Sequence, residues 1–238
     1  MSNPAFTPFG LKNGLLCDLA DNEFPTRLHA FSGINGLHLD STSSTYYGFV
    51  LDGRPQLGAS LQGHFELRSG MYFSLPSEGY VRGGRGIIIE RVGYTGTFSI
   101  GGPIENRGRL RYIDGCTDSL IIPPVRLGDP CLNALYFPPG TDQTQHTHPS
   151  MRVGIVVEGR GACVTPDGDI PLFPGQVFII HAEGVHSFRT EGDSEMVVVA
   201  YHPDSDHGPE DQFHPMINRT FVDGESASYL DDIRTGGA

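Results

Sequence analysis

The feature that most constrains this chain is an internal repeat at a spacing of about 105 residues. Segment 44–54 (STYYGFVLDGR) aligns with 150–160 (SMRVGIVVEGR), and segment 69–79 (SGMYFSLPSEG) aligns with 174–184 (PGQVFIIHAEG). Both pairs have nearly the same offset and keep glycines in register. The general likeness of β-turns is an alternative explanation, but it does not account for one offset shared by two segments. The repeat predicts two copies of one folding unit.

Each copy has the pattern of an all-β fold. Short segments rich in Val, Ile, Phe and Tyr end at Gly, Pro, Asp or Asn, which is typical of sandwiches and barrels with tight turns. A chain of 238 residues is long enough for two such units. We predict an N-terminal unit at 1–105, a connection with some strand of its own at 106–130, and a C-terminal unit at 131–238.

One strand of the second copy is apolar at successive positions, from Val153 to Val157, which indicates burial on both faces. Its inner face would line the unit's own interior. Its outer face is expected to pack against the other unit or a second chain.

The second copy also contains three histidines at a spacing suited to a metal ion. His146 and His148 are separated by one residue, so on a strand their side chains point to the same face. His186, on a neighbouring strand, would complete a facial set. An HxH pair alone is a weak signal, and three ordinary hydrogen-bonded histidines are the alternative. Neutral imidazoles suit Fe, Zn, Cu, Ni and, less well, Mn.

The spacing around these histidines resembles the two motifs of the cupin superfamily. Residues 140–159 match G(x)5HxH(x)3–4E(x)6G, from Gly140 to Gly159, and residues 175–186 are similar to G(x)5PxG(x)2H. The resemblance covers about residues 41–201 at the level of the fold. It implies an all-β bicupin, that is, two tandem jelly-roll β-barrels, with a divalent metal ion on His146, His148 and His186.

Two positions depart from the cupin pattern. Arg152 stands where most metal cupins have a glutamate ligand, and a guanidinium does not ligate a metal. The remaining set resembles that of three-histidine cupins, which are non-haem iron dioxygenases. Arg152 is then expected to face the cavity and pair with a substrate carboxylate, and a structural salt bridge is an equal alternative. His181 replaces the proline of the second motif, and we interpret it as structural rather than as a fourth ligand.

The first copy has no such set of ligands. By the alignment, Asp40, Thr42, Tyr46 and Val81 replace His146, His148, Arg152 and His186, in that order. The N-terminal unit is therefore predicted to be a degenerate cupin that serves as scaffold and interface.

The segment after about residue 202 is rich in Pro, Asp and His. Apolar residues such as Phe213, Met216, Ile217 and Phe221 favour docking of this tail over a disordered one. Loops of this kind often cover a site. A second metal cluster of His202, His207 or His214 is a weaker hypothesis.

Charge and cysteine usage limit the partners and the compartment. The formal net charge is −12, which repels phosphate backbones, so nucleic acid is not expected as a partner. The start of the chain shows no secretory signal, no segment has membrane-spanning length, and the four cysteines form no CxxC pair. These features predict a cytoplasmic protein with free thiols and without membrane contact. The expected partner is a small-molecule substrate, and the sequence leaves the oligomeric state open between a monomer and a homodimer.

Three functions remain open from the sequence. The first is an Fe(II)-dependent oxygenase acting on a small carboxylate-bearing substrate, with His146, His148 and His186 as metal ligands and Arg152 in a catalytic role. The second is a non-redox isomerase, lyase or hydrolase that uses Zn, Mn or Ni as a Lewis acid. The third is a non-catalytic small-molecule-binding protein. One fold hosts all three, so the choice rests on the site.

Overall fold

The computed structural model describes residues 4–210 and 214–230. Nearly all regular structure in these residues is β-strand, as predicted. In chain order the strands are β1 (Phe6–Phe9), β2 (Gly14–Leu19), β3 (Thr26–Ser32), β4 (Leu37–Leu39), β5 (Thr45–Asp52), β6 (Gln56–Ala59), β7 (Gly63–Glu66), β8 (Tyr72–Leu75), β9 (Gly79–Arg82), β10 (Arg85–Arg91), β11 (Ser99–Gly101), β12 (Leu110–Arg111), β13 (Thr117–Ile122), β14 (Cys131–Phe137), β15 (Arg152–Gly159), β16 (Gly161–Thr165), β17 (Gly168–Leu172), β18 (Val177–Ile180), β19 (Ser187–Thr190), β20 (Met196–His202), β21 (Phe221–Val222) and β22 (Glu225–Ser226).

Among the described residues, helical structure is limited to short turns. These are one α-helical turn, α1 (Pro215–Asn218), in the C-terminal tail, and 3₁₀ turns at Ile113–Gly115 and Ala227–Tyr229. Within the described residues, no helix has the length and hydropathy needed to cross a lipid bilayer.

The strands form two jelly-roll units with antiparallel pairing. The N-terminal unit combines a six-stranded sheet, β11-β8-β5-β10-β3-β2, with a four-stranded sheet, β4-β9-β6-β7. The C-terminal unit combines a seven-stranded sheet, β1-β18-β15-β20-β14-β13-β12, with a three-stranded sheet, β17-β16-β19. Each unit has its own core, one containing Phe31, Phe73 and Ile88 and the other Phe137, Phe178 and Val198.

The glycines that the repeat keeps in register have a packing role. Gly48 on β5 lies opposite Phe73 on β8, and a Cβ at Gly48 would lie 2.1 Å from that ring. Gly154 on β15 has the same relation to Phe178 on β18, with a distance of 2.2 Å. A side chain larger than hydrogen would displace the aromatic ring in either unit. The glycines shared by the two copies of the repeat therefore have the same packing role in both units.

A third core lies between the two units. The outer faces of the large sheets contribute Tyr47, Phe49 and Ile87 from the first unit and Val153 and Ile155 from the second. The predicted burial of β15 on both faces is confirmed, and its outer face packs on the other unit of the same chain.

Strand pairing does not follow the boundaries predicted at residues 105 and 130, which remain predictions. Strand β1, from the first segment, pairs with β18 in the register Phe6 to Ile180, and covers what would be an exposed edge of the C-terminal sheet. Strands β12 and β13, from the predicted connection, also join that sheet through β14.

Candidate metal centre

Two loops at one end of the C-terminal barrel bring the three predicted histidines together. His146 and His148 lie between β14 and β15, and His186 directly precedes β19. The backbones of His146 and His186 exchange two hydrogen bonds of 2.9 and 3.0 Å. The backbone carbonyl of His148 accepts a 2.8 Å hydrogen bond from Glu183 of the second loop. These bonds fix the relative positions of the three side chains.

The side chains have the spacing of a metal-binding set. One potential ligand atom of each histidine lies within 4.8 Å of the others. The ring centroids are 4.5 Å apart for His146 and His186, 5.1 Å for His146 and His148, and 5.2 Å for His148 and His186. Within residues 4–210 and 214–230, this is the only group of three or more His, Cys, Asp or Glu side chains close enough to share an ion.

Backbone carbonyls orient two of the imidazoles. Nδ1 of His146 lies 2.8 Å from the carbonyl oxygen of Thr144, and Nδ1 of His186 lies 2.8 Å from that of Gly184. A proton on each Nδ1 satisfies these contacts and leaves Nε2 with a lone pair, the usual arrangement in metal-ligating histidines. Nε2 of His186 is buried without any hydrogen-bond partner among the described residues. A buried nitrogen of this kind fits a metal ion.

The surroundings favour neutral imidazoles, the form that binds metals. Burial lowers the pKa of His148 to about 3, and the positive charge of Arg152 and the neighbouring histidines act in the same direction. Burial likewise lowers the pKa of His186 to about 4, with His146 and Arg152 contributing.

Arg152 begins β15 and lies in the same barrel interior, with its side chain only 12% exposed. Its Nη1 donates to the carbonyl oxygens of Ser150 and Met151, at 3.2 and 3.0 Å, and to the Ser150 hydroxyl. The same Nη1 lies 3.4 Å from a carboxylate oxygen of Asp204, which also accepts from the Ser150 hydroxyl. The structural salt bridge considered from the sequence is therefore present.

The other edge of the Arg152 guanidinium has no hydrogen-bond partner among the described residues. Nε is buried without a hydrogen bond, and Nη2 makes none to the described residues. Nε and Nη2 form the side-on edge of a guanidinium, which matches the two oxygens of a carboxylate. Asp204 and Ser150 thus hold the Arg152 side chain in place through Nη1 and leave the Nε and Nη2 edge unpaired.

A buried polar pair on the barrel wall escaped the sequence analysis. The Asn133 side chain on β14 donates a 2.9 Å hydrogen bond to Asp118 on β13, and its own amide oxygen is buried without a partner among the described residues. Burial raises the pKa of Asp118. The alternation of apolar residues at Leu132, Ala134 and Tyr136 places Asn133 on the opposite, inner face, which was the available signal.

His181 is not part of the histidine set. Its Nε2 lies 2.9 Å from the hydroxyl of Thr7 on β1, which ties the loop after β18 to the N-terminal strand. This contact supports the structural role predicted for it. A surface pocket of about 460 Å³ lies beside His181 and Glu183, but none of the three metal-site histidines lines it.

The start of the tail packs against the C-terminal unit. The backbone N–H of Gly128 donates to the carbonyl of Ser205, and that of Leu127 donates to the carbonyl of Pro209. His207 and His214 are exposed, and neither joins a group of metal-ligating side chains within the described residues. Of the residues proposed to dock, Phe213 lies outside the described residues, and Met216 and Phe221 are each 69% exposed, so docking of these two is wrong.

The N-terminal barrel lacks the histidine set, and strand pairing sharpens the comparison. In the N-terminal unit Leu75 pairs with Tyr46, and Val81 lies six residues after Leu75. In the C-terminal unit Ile180 pairs with Arg152, and His186 lies six residues after Ile180. Val81 pairs with Leu37 where His186 pairs with His146. Leu37 and Leu39, rather than Asp40 and Thr42, therefore occupy the positions of His146 and His148.

Comparison with known proteins agrees with this architecture. A family model described as "Cupin domain" matches residues 135–202, which include all three histidines. A search of curated proteins finds no match.

Among solved structures the chain is similar to the protein Ylba from E. coli, at 15% identity and a TM-score of 0.60, covering 88% of this chain and 94% of that one. It is also similar to salicylate 1,2-dioxygenase from Pseudoaminobacter salicylatoxidans in complex with gentisate, at 13% identity and a TM-score of 0.58, covering 81% and 73%. Oxalate decarboxylase from Bacillus subtilis, described with Mn(II) centres, matches at 11% identity and a TM-score of 0.53, covering 88% and 79%.

Identities this low inform on the fold and not on the reaction. Residues 135–202 thus match the cupin domain, and the three clustered histidines lie within the matched residues. The whole chain shares its two-unit fold with these solved structures.

Proposed function

We propose that this protein is a non-haem Fe(II) oxygenase that acts on a small, carboxylate-bearing organic substrate. The observation that carries the proposal is the combination of three converging histidines with an arginine in place of the usual acidic ligand. Three neutral ligands leave the charge of a divalent ion uncompensated and leave coordination positions free for small molecules.

The residues of the site have distinct roles in this proposal. His146, His148 and His186 hold the ion, and the carbonyls of Thr144 and Gly184 set the orientation of two of the rings. Bound Fe(II) supplies dioxygen activation and Lewis acidity.

Substrate recognition falls to Arg152. Its unpaired Nε and Nη2 edge accepts the substrate carboxylate side-on, and Asp204 keeps the guanidinium in position through Nη1. Phe188, whose ring lies 5.9 Å from that of His186, and the apolar core behind it exclude water from the reacting groups.

A non-redox reaction is the alternative. The same three histidines suit Zn, Mn or Ni acting as a Lewis acid in an isomerase, lyase or hydrolase. The names of the similar structures fit both classes, since one is a dioxygenase and another a decarboxylase described with Mn(II) centres. A non-catalytic binding protein would use the same histidines and Arg152 without turnover.

The setting that we propose is the cytoplasm. The four cysteines are free in the structure, and three of them, Cys116, Cys131 and Cys163, are buried. Free thiols are usual in a reducing compartment. A homodimer stays an open alternative to a monomer.

The test combines metal analysis with oxygen uptake. We expect purified protein to contain about one equivalent of iron, and Fe(II)-reconstituted protein to consume dioxygen with a panel of small carboxylic acids but not with the matching amides. His146→Ala and His186→Ala should lose both the metal and the activity. His181→Ala, which removes a histidine outside the set, should retain both.

Two results would reject the assignment. Full activity of either ligand variant would exclude these histidines as the metal site. Turnover without oxygen by protein containing Zn or Mn would replace the oxygenase by the non-redox alternative.

A further inference from the structure

Left-handed backbone at two exposed acidic residues marks both ends of the segment that carries His146 and His148. Within the described residues, the residues other than glycine with a left-handed backbone are Asp114, Glu183 and Asp223, with φ angles of 51°, 58° and 51°. This conformation is uncommon for a residue with a side chain, and for glutamate more so than for aspartate. Strain of this kind concentrates where the positions of neighbouring groups matter for function.

Asp114 holds the start of segment 144–148. It lies in the 3₁₀ turn between β12 and β13, and its Oδ2 accepts a 2.7 Å hydrogen bond from the backbone N–H of Thr144. The carbonyl oxygen of the same Thr144 lies 2.8 Å from Nδ1 of His146. The Asp114 carboxylate is therefore linked to the His146 imidazole through one residue of backbone.

Glu183 holds the other end of this segment. Its backbone N–H donates a 2.8 Å hydrogen bond to the carbonyl of His148, and its Oε2 accepts from the Thr147 hydroxyl at 3.2 Å. Glu183 itself belongs to the loop that leads from β18 to His186. Its contacts therefore connect the two loops that supply the three histidines.

The first unit shows that the repeat alone does not require this backbone conformation. Glu78 takes the position of Glu183, because each lies three residues after the aligned Leu75 and Ile180. Glu78 has the same side chain but is not left-handed, and its unit contains no cluster of metal-ligating side chains among the described residues. The left-handed glutamate thus occurs in the copy that has the three histidines.

We propose that Asp114 and Glu183 are positioning residues of the metal centre, which fix segment 144–148 in the conformation that presents His146 and His148 to an ion. Both side chains are exposed, so water competes for their hydrogen bonds and they add little to global stability. Their effect on metal binding comes from preorganisation of the ligands. The inference rests on the ligand set of the proposed function, but not on the reaction proposed there.

Loss of these contacts without added backbone strain provides the test. Asp114→Gly removes the acceptor for Thr144, and Glu183→Asn leaves a side chain too short to reach Thr147, while glycine and asparagine both tolerate the left-handed conformation. We expect each variant to bind Zn(II), a redox-inert probe, about 3- to 10-fold more weakly, a smaller loss than that of a direct partner of a ligand. The melting temperature of the metal-free protein should stay the same or rise.

Conservative variants separate position from charge. Asp114→Asn and Glu183→Gln keep an acceptor oxygen at the same distance from the backbone, so their Zn(II) affinity should stay within about twofold of the wild type. Asp223→Gly is the matched control, because it makes the same change at a left-handed aspartate in the turn between β21 and β22. Its Zn(II) affinity should equal that of the wild type. Competition with a chromophoric chelator measures the Kd, and calorimetry of the metal-free protein measures the melting temperature.

The outcomes distinguish failure of this inference from failure of the proposed function. If His146→Ala loses Zn(II) binding but Asp114→Gly or Glu183→Asn keeps the wild-type affinity, the inference alone is overturned. Weaker binding together with a lower melting temperature of the metal-free protein would also overturn it, because the two residues would then be structural. Equal Zn(II) binding by the wild type and His146→Ala would overturn both the inference and the metal centre.

Discussion

Arg152 combines two contacts that the sequence presented as alternatives. Nη1 contacts Asp204 and Ser150, while the Nε and Nη2 edge makes no hydrogen bond to the described residues. One guanidinium can do both because its donors point in different directions from a rigid plane. The sequence placed Arg152 in the cavity but gave no indication of which donors were engaged.

Replacement of the guanidinium by an ammonium group tests the role of Arg152 without removing its charge. In Arg152→Lys the ammonium remains available to Ser150 and Asp204, but side-on pairing with a carboxylate is lost. We expect kcat/KM to fall about 10- to 100-fold, the range for losing a charged, bidentate hydrogen bond, with metal content unchanged. Arg160→Lys, at an exposed arginine just beyond β15, is the control and should keep full activity. Metal loss in Arg152→Lys would indicate a structural role instead.

Glu90 should make the stability of the protein depend on pH at the acid end. Burial raises the pKa of Glu90, but contacts with His29, Ser44 and Arg27 outweigh burial. The pKa is therefore lower in the folded than in the unfolded state. The resulting stabilisation is fully present above the unfolded pKa of about 4.3 and is lost as the pH falls through the folded pKa. We expect Glu90→Gln to lower the free energy of unfolding by about 1–3 kcal/mol at pH 7 and pH 5, and by less at pH 3.5.

Urea denaturation at the three pH values measures this difference. Glu66→Gln, at a side chain that is 69% exposed, is the control and should differ little from the wild type. A Glu90→Gln difference of the same size at pH 3.5 as at pH 7 would contradict the interpretation.

At the scale of the strand, the sequence predicted the clustering of the histidines better than the strand partners. His146, His148 and His186 were grouped because their spacing follows the period of a strand and a known turn. The positions Asp40 and Thr42 were misaligned because Leu39 is seven residues before Tyr46, whereas His148 is four before Arg152. An ungapped alignment does not detect three extra residues in a loop, whereas the pairing of β4 with β9 does.

Strand β1 was the element least accessible to sequence reasoning. The pairing of Phe6–Phe9 with Val177–Ile180 spans most of the chain, and a local pattern does not identify so distant a partner. Phe6 is 5% exposed and its ring stacks on that of Phe178 with centroids 5.0 Å apart. The N-terminal segment therefore contributes to the core of the C-terminal unit.

Removal of the Phe6 ring tests directly whether β1 contributes to this core. Phe6→Ala leaves a cavity against Phe178, and we expect the free energy of unfolding to fall by about 3–5 kcal/mol. Phe173→Ala, at a phenylalanine that is 52% exposed in the same unit, should change it by about 0.5 kcal/mol or less. Equal effects of the two substitutions in chemical denaturation would show that β1 does not pack as described.

At the scale of the whole molecule, the two units share a core, and we expect them to unfold as one cooperative unit. Tyr47 of β5 and Tyr201 of β20 are 3% and 0% exposed, and their rings lie 5.3 Å apart across the interface. Separating the units would expose Ile87 and Val153, which are fully buried, together with the rest of this apolar surface. The hydrophobic cost of that exposure favours simultaneous unfolding of both units.

A substitution remote from the interface tests this coupling. Ile88 is fully buried in the N-terminal core and is not part of the shared cluster. If unfolding is cooperative, Ile88→Ala should cost about 2–5 kcal/mol and accelerate hydrogen exchange of β14 peptides in the C-terminal unit as much as that of β3 peptides. Ile34→Ala, at an 87% exposed site, should accelerate neither. Faster exchange confined to β3 would mean that the C-terminal cupin holds its fold, and with it the three histidines, without support from its partner.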